Sequence, residues 1–178
     1  MASHEQKDAL PLPTFERPTR VALIVAPFYR DIADNLIAGA CKVLDTANVA
    51  HETIEVPGAL EIPTTVALAA RSGEFDGFVA LGCVIRGETT HYDTVCNDSS
   101  RGLTLLGLKG VCIGNGILTV ENTAQAMARA RPSEMNKGGG AAEACLHLIT
   151  LARRFAPSTT PLPEGSFRLA GEVDGEFA

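Results

Sequence analysis

The chain is predicted to be α/β, a single-domain three-layer sandwich in which a four-stranded parallel sheet carries helices on both faces. Three observations predict this. Short apolar runs alternate with segments of helical periodicity four times along the sequence. The third run, Phe78-Val-Ala-Leu81, has no polar alternation, as expected of a strand buried on both faces. The 178 residues, 46% of them hydrophobic, are enough for one ordinary core and too few for two comfortable domains.

Val21-Ala-Leu-Ile-Val-Ala26 is the first strand, ended by Pro27. The segment after it sets Ile32, Leu36, Ile37, Ala40, Val43 and Leu44 on one helical face. Thr53-Ile-Glu-Val56 is the second strand, broken by Pro57-Gly58, and Leu60 to Arg71 reads as a helix stopped near Gly73, with Pro63 tolerable in its first turn. Phe78 to Val84 is the third strand. A helix is expected from about Asp93 to Leu108, ended by Gly110, and a fourth strand from Val111 to near Leu118. Two helices close the chain, Glu121 to Arg131 and about Gly138 to Phe155. This gives a domain over 20–156, flanked by a proline-bearing segment 1–19 and a Pro-, Thr-, Glu- and Gly-rich tail 157–178, both expected to be mobile or disordered.

Composition narrows the function. No apolar stretch approaches the roughly 20 residues needed to span a bilayer, and residues 1–19 lack the apolar core of a signal peptide, so the expectation is a cytoplasmic protein with no membrane partner. A net charge of −6 speaks against a nucleic-acid surface. The five cysteines have no C-x-x-C pairing and read as reduced packing residues. The Asn97-Asp-Ser99 sequon reads as chance. No metal site is expected.

The most informative stretch is Gly82-Cys-Val-Ile-Arg-Gly-Glu-Thr-Thr-His-Tyr-Asp93, where a buried strand ends and ligands of parallel sheets gather. Arg86, Gly87, Thr89 and Thr90 offer donors for phosphate oxygens, and read equally as an anion site or as a polar loop. His91 beside them is the candidate proton carrier, since imidazole exchanges protons near neutral pH. His4, His51 and His147 are read as tail, strand-edge and helix residues.

Pro57-Gly58 exposes amides at a helix start, able to read the edge of a planar heterocycle or simply forming a strand-to-helix turn, with Glu61 in the first turn. Phe28 and Tyr29 offer a ring to stack on an aromatic ligand or to close the core. Arg129 and Lys137 are helix-borne cations, and the Gly138-Gly-Gly140 run is costly enough to need a reason. Gly114-Asn-Gly116 comes too late for a dinucleotide fingerprint, which excludes a nicotinamide or flavin dinucleotide fold of that kind.

Taken together, Val56-Pro-Gly-Ala-Leu-Glu-Ile-Pro63, the Gly82–Asp93 loop, Gly116-Ile-Leu-Thr119 and Asn136-Lys-Gly138 resemble the 6,7-dimethyl-8-ribityllumazine synthase family of riboflavin biosynthesis, in the right order over about residues 20–155. The resemblance implies a flavodoxin-like fold, no cofactor, and the substrates 5-amino-6-(D-ribitylamino)uracil and 3,4-dihydroxy-2-butanone 4-phosphate. It implies that Phe28 stacks on the pyrimidine, with Ala59, Leu60, Glu61, Cys83, Val84 and Ile85 around the ring and its ribityl chain. Gly87, Glu88 and Thr89 fall in the phosphate loop, Arg129 on the phosphate, His91 at proton transfer and Lys137 as the nearby cation. It further implies a homopentamer with sites between subunits, where Asn115, Arg129 and Lys137 reach a neighbour's Phe28 and His91, and riboflavin synthase as a partner. Asn115 departs from the aromatic residue many relatives carry there, and Pro132 stiffens a turn, which suggests a free pentamer rather than a shell. The alternatives are a riboflavin synthase of the same architecture and a non-catalytic flavin- or lumazine-binding assembly protein.

Overall fold

The computed structural model describes residues 10–156; the remainder of the two tails, with His4, lies outside the described residues. Four strands form one parallel sheet in the order β2-β1-β3-β4, with β1 Arg20–Val25, β2 Ala50–Glu55, β3 Gly77–Ile85 and β4 Ile113–Val120. The helices between them are α1 Arg30–Thr46, α2 Glu61–Ala70, α3 His91–Leu108, α4 Thr123–Ala130 and α5 Lys137–Arg154. The predicted α/β sandwich is therefore the observed one, with every element present and shifts confined to the ends. The largest shift is at β2, which begins three residues earlier than expected because the half-buried His51 and the exposed Glu52 on this edge strand still pair in register with Val21 and Ala22.

Alternate side chains of β1 feed two cores. Val21, Leu23 and Val25 face Leu36, Leu44, Leu146 and Ile149 of α1 and α5, while Ala22 and Ile24 face Ile62 and Val66 of α2 and Leu103 of α3. Strands β1 and β3 are buried on both sides, which is why neither shows polar alternation. Before β1, Leu12 and Phe15 lie against the first core, with the Arg153 guanidinium 5.2 Å from the Phe15 ring.

The glycine run has a packing reason. A Cβ on Gly138 would stand 2.1 Å from the Leu36 carbonyl oxygen of α1, and one on Gly114 only 1.8 Å from the Ala141 carbonyl of α5. Helix α5 thus presses its backbone against a neighbouring helix and an edge strand at once. Its start is fixed by Asn136, left-handed at φ 46°, whose side chain accepts from the Gly139 N–H at 3.2 Å. Proline 63 sits in the first turn of α2, where no intrahelical donor is lost.

Candidate active site

At the carboxyl ends of β1, β2 and β3 the following turns enclose a pocket of about 470 Å³, within the usual range for a small-molecule site. One wall is Ala26, Phe28 and Tyr29 after β1, a second is Pro57 to Glu61 after β2, and the floor is Cys83, Val84 and Ile85. Gly87, Thr89, His91, Tyr92 and Val95 complete it. Thirteen of the residues singled out from the sequence therefore converge, among them Phe28, Ala59, Leu60, Glu61, Cys83, Val84, Ile85, Gly87, Thr89 and His91.

The chemistry of the walls differs. Phe28 is 75% exposed, and its ring is held edge-on to Tyr29 at 5.0 Å, so a flat face is presented to solvent and to any planar ligand. Opposite it, the amides of the Pro57–Leu60 turn precede α2, whose first residue is Glu61; the Glu61 carboxylate lies over Gly58, within 2.9 Å of where a Cβ would be. Cys83 is buried and its thiol is pushed up to about 11, chiefly by burial, so it is a neutral packing group rather than a nucleophile.

Between β3 and α3, Gly87 to Thr90 make no backbone N–H bond within the described residues, and the Cβ position of Gly87 faces open space. Only the His91 N–H is engaged, donating to Thr89 Oγ1 at 3.4 Å. A row of free amides leading into a helix N-terminus is a ready anion acceptor. His91 is the first residue of α3, exposed beside that row.

Arg86, left open between an anion site and a polar loop, is turned away from that row of amides. Its guanidinium is committed to Glu121 at 3.2 Å and Asp93 at 3.4 Å and covers the Tyr92 ring at 4.0 Å. Two carboxylates and an aromatic face together hold the cation on that side.

Four candidates lie off the pocket of their own chain. Glu88 is exposed in the loop. Asn115 is exposed on β4 and its Oδ1 accepts from the Ile117 N–H at 3.0 Å. Arg129 on α4 donates to the Gln125 carbonyl at 3.0 Å, and Lys137 is exposed at the start of α5. In consequence, among the described residues no Arg or Lys lines the pocket. Ala26, Tyr92 and Val95 line it without having been singled out. Val95 is four residues after His91 on the same helix face, a spacing that could have found it. Among the described residues, no helix is long and apolar enough to cross a membrane.

Fold and pocket define first a class: a doubly wound α/β protein with a pocket of small-molecule size at the carboxyl ends of its strands. A family profile described as 6,7-dimethyl-8-ribityllumazine synthase matches residues 18–153. The chain is 55% identical over 173 residues to the 6,7-dimethyl-8-ribityllumazine synthase of Jannaschia sp. (strain CCS1), covering 96% of this chain and 97% of that one. It is 49% identical over 164 residues to that of Methylobacterium radiotolerans, covering 90% and 99%, and 52% identical over 135 residues to that of Sphingopyxis alaskensis, covering 76% and 96%. The chain belongs to the 6,7-dimethyl-8-ribityllumazine synthase family. The riboflavin synthase alternative finds no support among these relatives.

Proposed function

We propose that the chain condenses 5-amino-6-(D-ribitylamino)uracil with 3,4-dihydroxy-2-butanone 4-phosphate to give 6,7-dimethyl-8-ribityllumazine, phosphate and water, the penultimate step of riboflavin biosynthesis. The observation that carries this is one pocket joining an exposed aromatic face, Phe28, to a loop of free amides with His91 at its end. The pyrimidine stacks on Phe28 with its polar edge toward the Ala59, Leu60 and Glu61 turn, and the ribityl chain runs along Cys83, Val84 and Ile85. The phosphate sits on Gly87, Glu88 and Thr89.

The primary amine of the pyrimidine attacks the ketone of the butanone phosphate, and water leaves as the imine forms. A proton is then removed, phosphate departs, and the second ring closes with loss of water. Confinement of the two reactants supplies much of the rate, because a bimolecular encounter becomes an intramolecular one. His91 carries protons, and the loop donors stabilise the departing phosphate.

A dianionic leaving group needs a cation, and among the described residues no Arg or Lys of the same chain lines the pocket. The reading therefore takes the active form as a pentamer in which Asn115, Arg129 and Lys137 of one subunit complete the pocket of the next. Exposed apolar surface on α3, with Leu105 at 53% and Leu108 at 80%, supports burial against another copy. With it go a cytoplasmic location and a riboflavin synthase as consumer of the product.

The test is lumazine formation from the two substrates, followed by absorbance and fluorescence together with phosphate release. Saturable turnover is expected, and Arg129→Ala should raise KM for the butanone phosphate by about tenfold or more, the loss of a charge-assisted contact. A folded protein that binds the pyrimidine without turning over would point instead to a non-catalytic binding protein.

A further inference from the structure

We infer that Arg86 is a positioning residue that holds the phosphate-type loop in shape by tying its two ends together, without touching substrate. The inference rests on the functional reading above, since it concerns the loop that reading gives to the phosphate.

Arg86 opens the loop. Its backbone N–H donates to the Val120 carbonyl at 2.9 Å, fixing the end of β3 to the end of β4. Its side chain repeats the tie on the same side, with Nε 3.2 Å from the Glu121 carboxylate. The guanidinium then reaches forward to Asp93 in the first turn of α3 and stands over the ring of Tyr92, its Cζ 4.0 Å from the ring centre, and Tyr92 itself lines the pocket. One planar cation thereby joins β3, the β4–α4 corner and the start of α3. The four residues it spans, Gly87 to Thr90, are those whose backbone amides are unpaired. A loop whose four amides make no hydrogen bond within the described residues is held weakly by its own backbone, so its ends must fix its shape. A lysine could not do the same, because one ammonium cannot serve two carboxylates in a fixed fork and stack on a ring as well.

These pairs are exposed, and exposed pairs stabilise a fold little. The effect of losing Arg86 should fall on loop geometry instead. Arg86→Gln is expected to raise KM for the butanone phosphate about tenfold, since small misplacements of binding groups carry penalties of that size or more. Affinity for the ribitylaminouracil should be unchanged, and the thermal midpoint should stay within about two degrees of wild type. Glu121→Gln and Asp93→Asn should move KM in the same direction, and Arg86→Gln combined with Glu121→Gln should be little worse than Arg86→Gln alone, as for residues acting through one tie. Arg86→Lys should recover only part of the loss.

Wild-type KM in Arg86→Gln would overturn the assignment. A lowered KM in Glu121→Gln would overturn it differently, by showing that the released guanidinium binds the phosphate itself. Absence of turnover in wild type would overturn the functional reading and this assignment with it, whereas wild-type turnover with an unaffected Arg86→Gln sinks this assignment alone.

Discussion

His91 owes its place to backbone geometry. It is the first residue of α3, with its N–H turned to Thr89 Oγ1 and its side chain exposed at the mouth of the pocket. Among the described residues no side chain hydrogen-bonds the imidazole, which suits the proton carrier proposed above. His91→Ala is expected to lower kcat by about a hundredfold, the usual worth of a general acid–base, while the dissociation constant of the pyrimidine changes little. Single-turnover kinetics and equilibrium titration separate the two. The pocket residues were legible because they stand in contiguous motifs at strand ends, where the sequence itself names the neighbours. The fate of Arg86 was not. Its main partner, Glu121, is distant in sequence and meets it only because β4 lies beside β3.

At the scale of elements, the alternation of apolar runs and helical periods carried the layers, whereas the strand order depends on pairings between distant segments that no local pattern encodes. The glycine run shows the same division. Its cost was visible in the sequence, but its cause is the close approach of α5 to Leu36 of α1, beside the contact of Gly114 with Ala141. The run should therefore respond unevenly to substitution. Gly138→Ala must displace backbone, and should destabilise by about 1–3 kcal/mol or more. Gly140→Ala, two residues on and with nothing within 4 Å of its Cβ position, should stabilise the exposed helix by about 0.5–1 kcal/mol. Urea denaturation midpoints of the two variants, compared with wild type, check both signs.

For the whole molecule, the decisive fact is a pocket with an aromatic wall, an anion-type loop and no cation of its own among the described residues, on a chain whose Arg129 and Lys137 lie elsewhere. The proposed closed ring of subunits would resolve this, because in it every copy both lacks and offers the same groups. The direct measurement is complementation by co-expressed variants. His91→Ala and Arg129→Ala subunits, each impaired alone, should assemble into mixed rings. If each site takes His91 from one subunit and Arg129 from the next, random mixing at equal amounts leaves about a quarter of the sites intact, and lumazine formation should recover to about that fraction of wild type. No recovery in oligomers shown to contain both variants would contradict the account, placing both residues in one chain's site or one of them outside the chemistry.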